Sequence, residues 1–306
     1  FIAWSTFAEK LIADPFSNVN LRAGLISALQ QHPLILDFYS ENDYELIWFG
    51  NNALASQRRA ELVNSLQSAS FHGLPGKKYQ VNSLLSKLST SDSLFEIGFL
   101  EGLFMIAFTE YASDLDTGVL IPSEVDTDIV RQINFKDTDF YIQGLLSRNP
   151  YDYFRSLGPQ SSEYARLLVE YQKLSEIIRN GGWSNIATDR ILRFGDSGDD
   201  VVAIRNRLFD QGYMPNSIST KFDKNLLKAV QKYQSDHGLI PDGIVGEGTI
   251  LELNITAEQR LSSIIVALER ERWLGDTLGQ RHIWVNLADF KAKIIEDQAV
   301  VFETRT

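Results

Sequence analysis

Residues 192–254 read LRFGDSGDDVVAIRNRLFDQGYMPNSISTKFDKNLLKAVQKYQSDHGLIPDGIVGEGTILELN. This stretch decides the fold class, because its apolar runs have a helical period and turns bound them. Gly195-Asp196-Ser197-Gly198-Asp199 is a polar turn. Val201, Ile204, Leu208 and Phe209 then recur at helical spacing and stop at Gly212. Phe222-Asp223 follows, and Asp223 has the chemistry of an N-cap. Leu226, Ala229, Val230 and Tyr233 make a second stripe that ends near Gly238. Asp242-Gly243 turns the chain, and a short helix from about Gly246 to Leu253 closes the unit. The spacing predicts three helices around one small core.

The region before it, to about Trp183, has the same periodicity. Its clearest element is Ser161 to Arg179, where Tyr164, Leu167, Leu168, Tyr171, Leu174 and Ile178 form one stripe. Asn180-Gly181-Gly182 ends it. Further helices are expected at Leu21 to Gln30, Ala53 to Ser68, Val81 to Leu88, Ser91 to Tyr111 and Glu124 to Arg131. The most apolar run, Ile97 to Phe108, is interrupted by Glu101 and too short to span a bilayer. It reads as a buried helix, so no transmembrane segment is expected.

Beyond residue 254, Thr256 and Gln259 have capping-box spacing. Leu261, Ile264, Ile265 and Leu268 give the following helix a buried face. Ile283, Val285 and Leu287 then alternate with Trp284 and Asn286, which is strand periodicity. Lys291 to Ile295 and Ala299 to Thr304 read as a hairpin around Asp297-Gln298. A ribbon of two or three strands is marginal in isolation and leaves open edges, so either another element covers this sheet or the chain is a fragment of something longer. The expected class is mainly α, with domains at 1–190, 191–254 and 255–306.

Composition narrows function. The formal charge of −11 disfavours a phosphate backbone as partner, so no nucleic acid is expected. The absence of cysteine excludes disulfides, cysteine-ligated zinc and a thiol nucleophile within these 306 residues. The chain begins at Phe1 and shows no signal peptide, which reads as a processed or trimmed product.

The middle stretch resembles the type 1 peptidoglycan-binding module. Its carrying residues are Gly195-Asp196-x-Gly198, Val201, Arg205-x-Arg207-Leu208 and Gly212, then Phe222-Asp223, Ala229-Val230, Tyr233-Gln234, Gly238-Leu239 and Asp242-Gly243-x-Val245-Gly246-x-x-Thr249. The flanks resemble the large L,D-transpeptidases of Gram-negative envelopes. They are Gly181-Gly182-Trp183, Glu269-Arg270-x-Arg272-Trp273 and Ile283-x-Val285-Asn286. Phe38-Tyr39 through Trp48, His72-Gly73-Leu74 and Tyr111-Ala112-x-Asp114-Leu115-x-x-Gly118 resemble patches of that family's scaffold domain. The resemblance implies a periplasmic protein whose partners are peptidoglycan and other cell-wall synthesis enzymes. It implies a helical scaffold, a binding module and the first strands of a catalytic domain.

That family forms 3→3 cross-links through a cysteine thioester, using a His…Ser-x-Gly-Cys-x-Arg segment. No cysteine stands here, so no catalytic residue is assigned and these residues alone are expected to be inactive. By resemblance, Asp242, Gly243, Gly246, Thr249 and Tyr233 are the candidate peptidoglycan-binding residues. The other reading of Asp242, Gly243 and Gly246 is a simple turn.

Asp196, Asp199 and Asp200 lack the ligand alternation of a calcium loop and read as caps and turn formers. His32, His72, His237 and His282 have no metal-ligand spacing, so neither metal nor cofactor is expected. Asp114, Asp116, Glu41 and Asp43 are the acids a glycosidase pair would draw on. Trp48, Trp183, Trp273 and Trp284 read as packing, and Arg270 and Arg272 as a solvated helix face. A non-catalytic envelope protein that docks a partner enzyme remains the alternative to a transpeptidase fragment.

Overall fold

The computed structural model describes residues 17–275, 278–286, 291–297 and 299–305. The chain divides into two compact units, Phe1–Leu168 with Ile265–Asp276, and Val169–Ile264 with Thr277–Thr306. Both are dominated by helix, and the described strands form one three-stranded sheet. The expected class, mainly α, is what is observed.

The first unit is built on α5, Leu94–Thr117. It follows α1 (Ser17–Leu29), α2 (Pro33–Glu41), α3 (Ala53–Ser68) and α4 (Val81–Thr90). Helix α5 starts later than Ser91 because Ser93 and Glu96 form a reciprocal capping box there. Ile97, Leu100, Phe104, Phe108, Tyr111 and Leu115 are all buried along it. A helix apolar on every side belongs inside a core. Helix α1 lies against it at unusually close range. A Cβ on Gly98 would overlap the Leu21 carbonyl oxygen, and one on Gly24 would overlap that of Phe95. No described helix is long and apolar enough to cross a membrane.

Glu101, inside the apolar run, is completely buried. Its carboxylate accepts from Tyr39 OH at 2.6 Å and from the backbone N–H groups of Ile47 (2.7 Å), Trp48 (3.1 Å) and Phe49 (2.9 Å). An unpaired buried carboxylate is very costly. Four donors make this one a peg that fixes the 47–49 segment against α5.

After α6 (Pro122–Val125) come α7 (Thr138–Ser147) and α8 (Pro150–Ser156). The helix expected over Glu124 to Arg131 is therefore largely absent. Asp126 ends it by turning its side chain onto the Asp128 N–H at 2.9 Å, which competes with helical bonding. Asp114 and Asp116 each bind one lysine and one tyrosine. Asp114 takes Lys78 (2.6 Å) and Tyr79 (2.8 Å), and Asp116 takes Lys136 (2.9 Å) and Tyr141 (2.9 Å).

The reading of Arg272 as part of a solvated face is corrected. Arg270 is exposed, but Arg272 is only 1% exposed. It pairs with Glu269 at 2.9 Å and donates to the His72 carbonyl and to Tyr164 OH. Glu269 in turn accepts from the Leu120 N–H at 2.7 Å and Trp273 Nε1 at 3.2 Å. His72 stacks on Tyr164 beside this pair. Trp48 and Trp273 are buried as expected, whereas Trp183 and Trp284 are only half-buried.

Helix α9 (Ser162–Arg179) matches the stripe read from sequence. The second unit holds α10 (Asp199–Asp210), α11 (Lys224–Asp236) and α12 (Glu247–Leu253). The capping box of α13 (Ala257–Leu274) forms, with Thr256 and Gln259 bonded reciprocally at 2.9 and 3.2 Å. Strands β1 (Arg281–Asn286), β2 (Lys291–Glu296) and β3 (Ala299–Arg305) pair antiparallel in that order. Ile283, Ile294 and Phe302 are cross-strand partners, and a register shift follows between Ile294 and Ile295. The expectations for Leu287 and Gln298 lie outside the described residues.

Candidate functional site

The candidate site lies in the small three-helix module. Its core is Leu192, Val201, Ile204, Leu208, Phe222, Leu226, Val230, Tyr233, Val245 and Leu253, with Ile186 joining from upstream. Two isolated bridges, Leu192 with Val245 and Ser197 with Lys221, tie the turns together.

Asp223 caps α11 through Oδ1, which accepts from Asn225 N (3.0 Å) and Leu226 N (2.9 Å). Its Oδ2 takes Arg205 at 3.0 Å. The Leu226 N–H first, and Arg205 with it, hold this carboxyl below the usual carboxylate range. Arg205 is 1% exposed and also donates to the Lys221 carbonyl at 2.6 Å. Asp196 uses Oδ2 to accept from Arg193 N at 2.8 Å, and Asp200 pairs with Arg190 at 3.1 Å. Both therefore shape the first turn.

The loop carrying most of the candidate residues is organised by Gln234, which sequence reading quoted but gave no role. Its Nε2 donates to Asp242 Oδ1 (3.0 Å), the Ile244 carbonyl (2.9 Å) and Thr249 Oγ1 (3.2 Å), and its Oε1 accepts from Gly243 N (2.9 Å). Asp242 Oδ1 also accepts from Ile244 N at 2.8 Å. The structure thus gathers Asp242, Gly243 and Thr249 about one buried amide. Gly243 has φ +75°, and a Cβ there would overlap Leu227 Cδ1, so glycine is required on two counts. Gly246 stands just before α12, and a Cβ there would meet nothing within 4 Å.

Exposure sorts the five candidates. Asp242 is exposed and Gly246 half-buried, while Gly243, Thr249 and Tyr233 are buried. Tyr233 packs edge-on to Tyr213 and stacks on His237 at 4.0 Å between ring centroids. Burial raises its hydroxyl pKa. Next to the loop, Ile240, Ile244 and Leu251 are exposed apolar side chains. The loop offers a carboxylate and open backbone beside apolar contact area, a mixture suited to amide- and hydroxyl-rich ligands.

The upstream flank is bound to the module by two side chains. Asn254 pairs with Ile186 in both directions at 2.9 Å. Arg207 donates to the Ser184 carbonyl at 2.7 Å and lies over the Trp183 ring at 5.3 Å.

Two family models match the chain. Residues 33–170 match a scaffold domain, and residues 197–253 match one described as "Putative peptidoglycan binding domain". A protein of Kitasatospora aureofaciens, described as an uncharacterized protein in the bpoA1 3' region, is 39% identical over 80 residues. That overlap is 26% of this chain and 66% of the relative. A scaffold domain and a putative peptidoglycan-binding domain in one chain make a cell-wall-like architecture.

Proposed function

We propose that this chain is the scaffold and wall-binding part of an L,D-transpeptidase of the Gram-negative periplasm, with domains at 1–190, 191–254 and 255–306. The observation that carries the reading is the pairing of a scaffold domain with a peptidoglycan-binding domain in one chain. The loop at Asp242, Gly243, Gly246 and Thr249 presents the wall-binding edge, and Tyr233 supports it from the core. Such an enzyme attacks the donor stem peptide with a cysteine thiolate and passes the acyl group to an acceptor amine. The chain contains no cysteine, so its own contribution is to hold the polymer and dock other wall enzymes.

A carboxylate-based hydrolase is less well supported, because Asp114 and Asp116 are each tied to a lysine and a tyrosine. Retention on purified sacculi tests the proposal. Co-sedimentation is expected, and Asp242→Ala is expected to weaken it several-fold. No 3→3 cross-linked product is expected from this chain. A chain that stays in the supernatant at low salt sinks the wall-binding reading.

A further inference from the structure

A cavity of about 410 Å³ opens beside the second half of α5 in the first unit. Glu110 and Asp114 line it from the helix, Pro33, Leu34 and Ile35 line it from α2, and Lys78 closes a side. The volume is that of a small-ligand site. Glu110 and Asp114 are four residues apart, which places them one turn apart on one face. Asp114 accepts from Lys78 (2.6 Å) and Tyr79 (2.8 Å), both through Oδ2. Glu110 is half-buried and makes no hydrogen bond or ion pair among the described residues. Two carboxylates therefore share the lining with one lysine and with the polar side chains of Gln31 and His32, and with histidine counted as neutral the formal charge of the lining is −1.

The missing charge is organic by its surroundings. Among the described residues, no three His, Cys, Asp or Glu side chains come together to hold a metal ion. Pro33, Leu34 and Ile35 give the α2 side apolar surface next to Gln31 and His32, and Leu34 is 65% exposed. Methylenes against such a wall with the charged head on carboxylates is how long amine side chains lie on proteins. A second cavity of about 620 Å³ begins across the first turn of α7, with Thr138 lining the smaller one and Asp137 and Asp139 the larger. A ligand longer than one side chain has room to continue.

We propose that the smaller cavity binds a primary alkylammonium group carried on a peptide, with Glu110 as its counter-ion. Assigning that amine to the stem peptide of the wall polymer rests on the wall-binding reading, but the ammonium site itself does not.

Calorimetric titration of the full chain with the tetrapeptide alanyl-glutamyl-lysyl-alanine and with its Nε-acetyl form tests the site. The free amine is expected to bind about tenfold tighter, the scale of one charge-assisted bond. Glu110→Gln, which keeps the shape, is expected to erase that preference. Glu110→Lys places an ammonium four residues from Asp114 and is expected to abolish binding while keeping the melting temperature. Cadaverine binding with the same Glu110 dependence supports the site and assigns the amine to free diamines. Equal affinity for both peptides, no binding of either at millimolar concentration, or a preference that survives Glu110→Gln overturns the proposal. Sacculus retention measured on the same preparations separates the two readings: retention without amine preference faults this site alone, and the converse faults the wall-binding reading alone.

Discussion

His72 shows how one half-buried side chain can set a pH response. It is half-buried, stacks on Tyr164 and faces the Arg272 guanidinium, with Glu269 on the far side of that arginine. Burial first, and Arg272 second, push its pKa from 6.5 down to about 4. Unfolded, the imidazole takes a proton near pH 6.5; folded, it stays neutral until about pH 4. The unfolded chain therefore binds more protons in that window, and stability falls as the pH drops through it. The loss is about 3–4 kcal/mol in total. His72→Phe removes the titration but also the 3.1 Å contact with Tyr164 OH, about 1 kcal/mol at neutral pH. Denaturant melts at pH 7 and pH 4.5 are expected to differ less for this variant than for the parent. Parallel pH dependences would show that His72 is not the source. The sequence showed no metal-ligand spacing at His72, but Arg272, two hundred positions away, is invisible to local reading. The same holds for Arg272 itself. An Arg with a Glu three residues earlier has the pattern of an exposed helix pair, and only the His72 and Leu120 backbones show that it is enclosed.

At the scale of the element, the 242–249 loop hangs on Gln234. Its amide serves both as donor and as acceptor, so charge rather than size is the critical property. Gln234→Glu keeps the shape but turns the donor into an oxygen facing Asp242 Oδ1 and the Ile244 carbonyl. The loss of three bonds and the new repulsion are expected to cost the module about 2–4 kcal/mol. The check is a chemical-denaturation curve followed by Trp fluorescence. A midpoint within error of the parent would mean that Gln234 does not hold the loop. What was legible here was local. Asp242-Gly243 announced a turn, Asp223 announced a cap, and the Thr256–Gln259 box was readable from spacing. Gln234 was not, because its partners lie eight to fifteen residues on and a polar residue in a helix stripe carries no periodic signal. Burial also divides the candidate set: Asp242 is open to solvent, while Tyr233 is enclosed against Tyr213 and His237.

For the whole molecule, the long stripes identified the mainly helical class, and the residues that decide it are the continuous apolar positions of α5 and the paired stripes of the module. The helices Pro33–Glu41, Thr138–Ser147 and Pro150–Ser156 were not among the sequence expectations. Each is fixed at its start, by proline in the first turn or by an Asp137 or Asn149 cap. The division into two compact units leads to a prediction about cooperativity. Asp223→Ala removes the α11 cap and leaves Arg205, 1% exposed, without its carboxylate. The expected cost is about 2–3 kcal/mol, whereas Asp223→Asn keeps the cap and loses less. Hydrogen exchange localises the effect. The amides of Leu226 to Val230 are expected to lose protection, while those of Ile47 to Phe49, which point at Glu101, keep theirs. Distant sites without shared partners add independently. Equal loss of protection at both places would mean that the two units unfold as one, and the division would have no thermodynamic content.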